Sequence, residues 1–258
     1  MGDSPPARIA AQSVVIGTRL YLYGGADESL FHDEVFLLEI EQMKWSKLEA
    51  KGPGARMGHT MCAVQDPPRL LVFGGAQSGE MLSDQTQANA AQNVRLPAPF
   101  LAGRCSAVGD LQFFDVASCQ WTRAPDLDGA PSPRYFHAAA LVQQEGSTRF
   151  LVHGGLGKNH ELLGDLYVLD VGAMKWSQPE CSGDKPSARY GHRAVYSSKT
   201  NEVFFFGGGD LQEPGVLHTL DMATFTWKKI ETTSTPPMSR SRHTHALQKI
   251  SSDRPSRP

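Results

Sequence analysis

The feature that most constrains this 258-residue chain is a sequence unit of about 50 residues that recurs along it. In each unit an apolar run ends in a glycine pair, a second apolar run follows, and a single tryptophan closes the unit. Self-similarity of this length indicates a repeat architecture in which neighbouring units stack on one another. The glycine pairs are Gly24-Gly25, Gly74-Gly75, Gly154-Gly155 and Gly207-Gly208, and the tryptophans are Trp45, Trp121, Trp176 and Trp227.

A third element, Pro-x-x-Arg-x-x-His, lies after each tryptophan and before a short apolar stretch. This stretch, the two apolar runs and the segment that holds the tryptophan make four strands per unit. Four short strands with a glycine pair are typical of one blade of a β-propeller. The four copies are Pro53/Arg56/His59, Pro131/Arg134/His137, Pro186/Arg189/His192 and Pro237/Arg240/His243.

With these motifs the sequence resembles the kelch-repeat family over roughly residues 5–247. The arginine-histidine form of the repeat is similar to that of kelch proteins that carry no other domain. The resemblance implies an all-β fold, a kelch-type β-propeller with four complete four-stranded blades and a partial fifth. Within such a fold the glycines allow tight turns and close backbone approach, and each large tryptophan suits a wedge between blades.

The blades differ in how completely they match the repeat. Blade one is the loosest, because Ala11 stands where later repeats have histidine, and blade two carries an insert at about 76–109. Because rings of this family usually have about six or seven blades, we expect a truncated or alternatively spliced form of a longer propeller; a small ring closed by the lone fifth-repeat strand is the alternative. The predicted blades cover 8–48, 53–124, 131–179, 186–230 and, in part, 237–247, and 248–258 is predicted to be a disordered tail.

Composition narrows the classes of function and of compartment. A formal net charge of -2 without a block of basic residues argues against general binding to nucleic acid or to anionic membranes. The sequence has neither a signal-peptide pattern at its start nor an apolar run long enough to span a bilayer, so we expect a cytoplasmic or nuclear protein. No Cys-x-x-Cys pair occurs among Cys62, Cys105, Cys119 and Cys181, so no zinc site, disulfide framework or cofactor is predicted.

The repeated arginines precede the innermost strands, so we expect them around the mouth of the central channel. The resemblance implies that arginines at this point of the repeat can bind acidic peptide groups, since guanidinium makes bidentate contacts with carboxylates. The alternative is that a residue found once per blade is architectural and bonds backbone carbonyls between blades. The predicted partner-binding residues are Arg56, Arg134, Arg189, Arg240, Tyr135, Tyr190 and Phe100.

Histidines and the insert complete the candidate residues. One histidine per blade is too widely spaced to form a metal site, so His59, His137 and His192 are predicted to make hydrogen bonds that hold adjacent loops together. Phe100 belongs to an apolar segment of the insert, 96–101, which either docks on a partner or packs against the side of the propeller.

The function predicted from these features is that of a protein-protein interaction module or adaptor, which binds a partner through its loop face. The alternative is the substrate-recognition subunit of a ubiquitin ligase. We expect the protein not to be an enzyme, because the sequence lacks a glycine-rich phosphate loop, a Gly-x-Ser-x-Gly elbow and a His-Glu-x-x-His motif.

Overall fold

The computed structural model describes residues 3–27, 29–78, 105–144, 146–209 and 216–231. Every regular element within these ranges is a β-strand, and four sheets of four or five strands follow one another along the chain, with a separate two-stranded hairpin beside the second. This confirms the all-β, blade-by-blade fold predicted from the repeat. The partial fifth blade with Arg240, the tail at 248–258 and most of the insert, Phe100 included, lie outside the described residues.

In each blade an inner strand, two central strands and an outer strand pair antiparallel in chain order. Blade one consists of β1 (Gln12–Ile16), β2 (Arg19–Tyr23), β3 (Val35–Glu39) and β4 (Lys44–Leu48). Blade two consists of β5 (Thr60–Gln65), β6 (Pro68–Phe73), β9 (Leu111–Asp115) and β10 (Gln120–Arg123), with a hairpin of β7 (Ala76–Ser78) and β8 (Cys105–Ala107) where the insert leaves and returns.

The other two blades repeat this order. Blade three consists of β11 (Ala138–Gln144), β12 (Ser147–Leu156), β13 (Leu162–Asp170) and β14 (Lys175–Ser177). Blade four consists of β16 (Arg193–Ser197), β17 (Glu202–Phe206), β18 (Leu217–Asp221) and β19 (Thr226–Ile230), and the short strand β15 (Ser182–Gly183) pairs in parallel with β19.

An apolar row crosses all four strands of each blade and ends in its tryptophan; we call it the tryptophan row. In blade three, residues directly opposite one another in the strand register form the row. Since successive side chains of a strand point to opposite faces, the whole row faces one way, toward the preceding blade. The rows are Val15-Leu20-Leu38-Trp45, Ala63-Leu70-Phe114-Trp121, Leu141-Phe150-Leu169-Trp176 and Tyr196-Val203-Leu220-Trp227.

The core consists of the seams between blades. The tryptophan of each later blade packs on the aromatic residue that precedes the glycine pair of the blade before it. Ring centroids are 4.8 Å apart for Trp121 and Tyr23, and 5.4 Å apart for Trp176 and Phe73. The corresponding distance from Trp227 to His153 is 5.3 Å. Three of the four tryptophans therefore lie between blades.

A chain of backbone hydrogen bonds links the four blades at one mouth of the central channel. Gly58 donates to Ala10, Phe136 to Gly58 and Gly191 to Phe136, at 3.0, 2.7 and 2.7 Å. All four residues have left-handed backbone angles, with φ between 53° and 69°. A Cβ on Gly58 would lie 2.9 Å from the Phe136 ring, so this position requires glycine.

Candidate functional site

Each of the three repeat arginines that the structure describes joins two blades rather than facing solvent. The Arg56 guanidinium donates to Asp110 at 2.8 and 3.0 Å and to the Gly74 carbonyl at 3.0 Å, all within blade two. Its own backbone carbonyl accepts a 2.8 Å bond from the Gly25 amide of blade one. One residue thus fixes the start of its own blade against the glycine pair of the blade before.

The same arrangement recurs along the chain. Arg134 donates to the Asp165 carboxylate, and to the Gly154 carbonyl at 3.1 Å. Arg189 donates to the Gly207 carbonyl at 3.3 Å. Their backbone carbonyls accept from the second glycine of the preceding blade, Gly75 and Gly155, at 2.9 Å in both cases.

The structure corrects the partner-binding interpretation of these side chains. Arg56 and Arg134 are 0% exposed and Arg189 is 2% exposed, so a partner cannot reach them while the blades are packed. Tyr135 and Tyr190 are also buried, in an apolar cluster beneath the loops, and the Tyr135 hydroxyl pairs with Nδ1 of His160. The architectural alternative, left open by the sequence, describes all three arginines.

Arg8 is the equivalent arginine of blade one, and the sequence interpretation missed it. Its guanidinium donates to the Gly24 carbonyl at 3.0 Å, lies 3.6 Å from a Glu34 carboxylate oxygen and covers the Phe36 ring. Two signals were available: Pro5 and Arg8 have the spacing of the motif, and an acidic residue opens the third-strand run of the first three units. That acidic residue is Glu34 in blade one, Asp110 in blade two and Asp165 in blade three.

The repeat histidines within the described residues, His59, His137 and His192, are buried against the preceding blade. His137 Nε2 lies 2.7 Å from the Thr60 hydroxyl, and His192 Nε2 lies 2.9 Å from Nδ1 of His153. Burial lowers the pKa of His59 and of His153 to about 3, and it holds the pKa values of His137 and His192 well below the usual range. These imidazoles are therefore neutral at pH 7. In the described ranges, no group of three or more side chains of the metal-ligating types forms a metal site.

The loops between the second and third strands of the blades lie at one end of the strands, which we call the loop face. In blade one this loop is shaped by Asp27, whose Oδ1 accepts from the amides of Ser29 and Leu30 at 2.7 and 2.9 Å. His32 Nε2 lies 3.1 Å from the other carboxylate oxygen of Asp27. These contacts shape the described part of the loop on either side of position 28.

Residues in and beside this loop present apolar side chains to solvent. Leu30 is 54% exposed, Ile9 is 44% exposed, and Phe31 is partly exposed. Ile9 and Phe31 flank Ala26 through backbone bridges, which brings the three segments side by side. We call Ile9, Leu30 and Phe31 the blade-one patch.

Two grooves open on the same face over the later blades. One, of about 710 Å³, lies over blade two and is lined by Arg123, Asp126 and Pro133 among others. The second, of about 490 Å³, lies between blades three and four and includes Glu180 and Lys185. Both combine prolines with charges of either sign.

Sequence comparisons identify what the chain is similar to. A family described as the KLHDC2/KLHL20/DRC7 Kelch-repeats domain matches residues 1–96 and 102–251. The chain is 28% identical to "Kelch domain-containing protein 3" of Homo sapiens, over 80% of this chain and 49% of that protein. It is 24% identical to "Rab9 effector protein with kelch motifs" of Xenopus laevis, over 80% of this chain and 51% of that protein.

A plant relative extends this range. The chain is 27% identical to "Acyl-CoA-binding domain-containing protein 4" of Arabidopsis thaliana, over 89% of this chain and 39% of that protein. The chain thus spans about half the length of the known relatives it matches, or less.

The described residues contain no helix of the length and apolarity that crossing a bilayer requires.

Proposed function

The chain belongs to the kelch-repeat family, and from that premise we propose that it is a protein-binding module that contacts its partner through the loop face of the propeller. The observation that carries this proposal is the blade-one patch. Its loop is held by carboxylate-to-amide bonds from Asp27, yet it keeps Leu30 in solvent. Apolar side chains that lie close together on the surface gain burial when a partner covers them.

The contrast between residues that recur in the repeat and residues that differ between blades supports the same surface. In the described blades, the arginines and histidines that recur in the repeat are buried in the seams between blades. The residues that differ between blades, such as Leu30 in blade one and Arg123 in blade two, lie on the loop face. We therefore propose that specificity for a partner comes from the loops, as it does when a rigid scaffold carries variable binding loops.

The relatives' names point to protein partners only for those relatives; "Rab9 effector protein with kelch motifs" is one such name. For this chain we propose the class of partner, a protein. An acidic peptide segment is no longer favoured, because the arginines that suggested it already hold Asp110 and Asp165. The ubiquitin-ligase alternative, the adaptor role, the absence of catalysis and the cytoplasmic or nuclear location stay predictions.

The test is affinity capture from cell extract with quantitative mass spectrometry. The patch variant is Ile9→Ser/Leu30→Asp. The matched control is Ile40→Ser/Met43→Asp in the turn between β3 and β4, at the opposite ends of the strands. Both residues are apolar, and they are 38% and 74% exposed. Thermal melts of all three proteins establish that they are folded.

We expect the patch variant to lose at least about tenfold of its specific partners while the control retains them, since a central apolar contact is worth on the order of 1–2 kcal/mol. Partners that survive in the patch variant at wild-type levels would place the binding surface elsewhere. Equal losses in both variants would mean that the effect is not specific to the loop face.

A further inference from the structure

The connection between blades two and three carries an exposed tight turn at 127–130, in the irregular segment that joins β10 to β11. The Ala130 amide donates to the Leu127 carbonyl at 3.3 Å and closes the turn. Gly129, at the third position of the turn, has a φ of 71°, a backbone conformation that favours glycine there. Asp128 and Gly129 are both exposed, so the two central residues of this turn lie in solvent.

The Asp128 carboxyl is held differently from the carboxyls of other aspartates in turns. Within the described ranges, no backbone amide or side chain donates a hydrogen bond to it. Because a carboxyl held by amides cannot rotate toward the chain behind it, only the Asp128 carboxyl in this comparison is free to do so. The aspartates that accept from a backbone amide two or three residues later, at 2.7–3.1 Å, are Asp27, Asp115, Asp170 and Asp221.

The residue that follows Asp128 is also the least obstructive. Gly129 has no side chain, and a Cβ built on it would have its nearest neighbour, the Trp176 carbonyl oxygen, at 3.6 Å. In the part of the chain that the structure describes, the Gly129 amide donates to no acceptor. By contrast, the held aspartates at 115, 170 and 221 are followed by the side chains of Val116, Val171 and Met222. At Asp128 the carboxyl and the next amide are therefore both open to reaction with each other.

We propose that Asp128–Gly129 is a site of spontaneous aspartate isomerisation, for which water is the only reagent. The Gly129 nitrogen forms a bond to Cγ of Asp128, and the carboxyl hydroxyl leaves as water with the amide proton, which closes a five-membered succinimide. Water then adds to one of the two ring carbonyls and breaks its bond to nitrogen. One cleavage restores aspartate and the other leaves a β-linked isoaspartate, with no change of mass and no transfer of electrons.

The isomer changes the loop face beside this turn. Isoaspartate adds one atom to the backbone between Leu127 and Ala130, so the hydrogen bond that closes the turn cannot keep its present geometry. Asp126 precedes Asp128 by two residues, pairs with Arg123 at 3.0 Å and lines the groove of about 710 Å³ over blade two. Isomerisation therefore alters the border of that groove as the protein ages.

The site is tested by incubating the full chain at about 37 °C and about pH 6, where a fraction of exposed carboxyls is protonated and can lose water. Peptide mapping by mass spectrometry with electron-based fragmentation locates isoaspartate, and labelling by an isoaspartate methyltransferase with S-adenosylmethionine quantifies it. A synthetic peptide of residues 123–132 gives the rate without the fold. Because the fold leaves both reacting groups free, we expect isoaspartate at position 128 to form within about tenfold of the peptide rate.

Two variants separate this reaction from damage elsewhere in the chain. Asp128→Glu keeps the charge but requires a six-membered ring, so the methyl label should fall at least about tenfold. Asp128→Asn replaces the hydroxyl leaving group with ammonia and should convert faster than wild type, with the mass gain of deamidation. The peptides that contain Asp115 and Asp221 should stay α-linked in every sample, and thermal melts confirm that each protein is folded.

Two results would overturn the proposal. A folded chain that isomerises at position 128 more than about tenfold slower than the peptide would show that the fold protects the turn. A methyl label that stays at the wild-type level in Asp128→Glu would place the isoaspartate at another position.

Discussion

The seam between blades two and three and the seam between blades three and four share one geometry with different chemistry. In the first, the Phe73 ring lies 5.4 Å from both Trp176 and His137. In the second, the His153 ring takes the same place, 5.3 Å from Trp227 and 5.0 Å from His192. The position before the glycine pair therefore requires a planar ring of suitable size and is not limited to apolar residues.

The hydrogen-bond partners of these rings differ between the seams. His153 is tolerated because its Nδ1 pairs with Nε2 of His192, so one neutral imidazole donates and the other accepts. In the phenylalanine seam, His137 turns the equivalent nitrogen to the Thr60 hydroxyl instead. In the first seam Tyr23 fills the place and donates its hydroxyl to the Gly54 carbonyl at 2.9 Å. Each polar ring at this position, His153 and Tyr23, thus has a hydrogen-bond partner.

The largest expected effect tests whether the two seams contribute equally to stability. Trp176→Ala and Trp227→Ala each remove a buried ring from one seam and should each lower the free energy of unfolding by about 3–5 kcal/mol. Trp45→Ala removes a partly exposed ring and should cost less than about 1 kcal/mol. Urea unfolding monitored by far-UV circular dichroism measures all three.

Equal losses in the two seam variants would show that the ring at the glycine-pair position does not affect how much its tryptophan contributes. A Trp45→Ala variant that loses as much as the other two would contradict the exposure of the blade-one row.

Exchanging the two rings should have a smaller and unequal effect. Phe73→His places a polar ring where no partner was provided for it, and the buried nitrogen should cost about 1–3 kcal/mol. His153→Phe removes a polar ring from an apolar site and should stay within about 1 kcal/mol of wild type, with the lost His153–His192 bond offsetting the gain. If Phe73→His proves as stable as wild type, the hydrogen-bond partner is not what decides the choice of ring.

The smallest effect is a difference in pH dependence. The folded-state pKa of His153 is about 3, below the ordinary value of 6.5, so between these values the unfolded chain binds a proton that the folded chain excludes. Stability contributed by the neutral ring is complete above pH 6.5 and decreases as the pH falls toward 3, by up to about 1.4 kcal/mol per pH unit. His153→Phe should therefore have a shallower decline over this window than wild type.

Urea midpoints at pH 7, 6 and 5 measure the two slopes, and Phe150→Leu in the neighbouring seam serves as a control that carries no titratable group. A wild-type slope that His153→Phe leaves unchanged would mean that His153 titrates normally in the folded protein.

Strand order and the seams were within reach of the sequence because they follow from short-range patterns. The alternation of apolar residues in β12 and β13 and the single tryptophan per unit determine which side of each blade is buried. The role of the arginines was not decided by the sequence, because it depends on distant partners. Asp110 lies 54 residues beyond Arg56, across the insert, and only the fold brings the two within 2.8 Å.

The blade-one patch was missed for a related reason. Leu30 looks like any apolar residue of a loop, and its exposure results from the turn that the Asp27 carboxylate imposes. Arg8 was missed because the repeat was defined by its histidine, which blade one lacks at Ala11.

The close approach of Gly58 and Phe136 at the channel mouth constrains how this sequence can evolve. A side chain at position 58 would meet the ring at 2.9 Å, so a lineage can acquire phenylalanine at 136 only after glycine is already established at 58. The reverse change has the same order: the ring at 136 has to shrink before position 58 can gain a Cβ. Two substitutions that look independent in the sequence, 78 residues apart, are therefore historically contingent on each other.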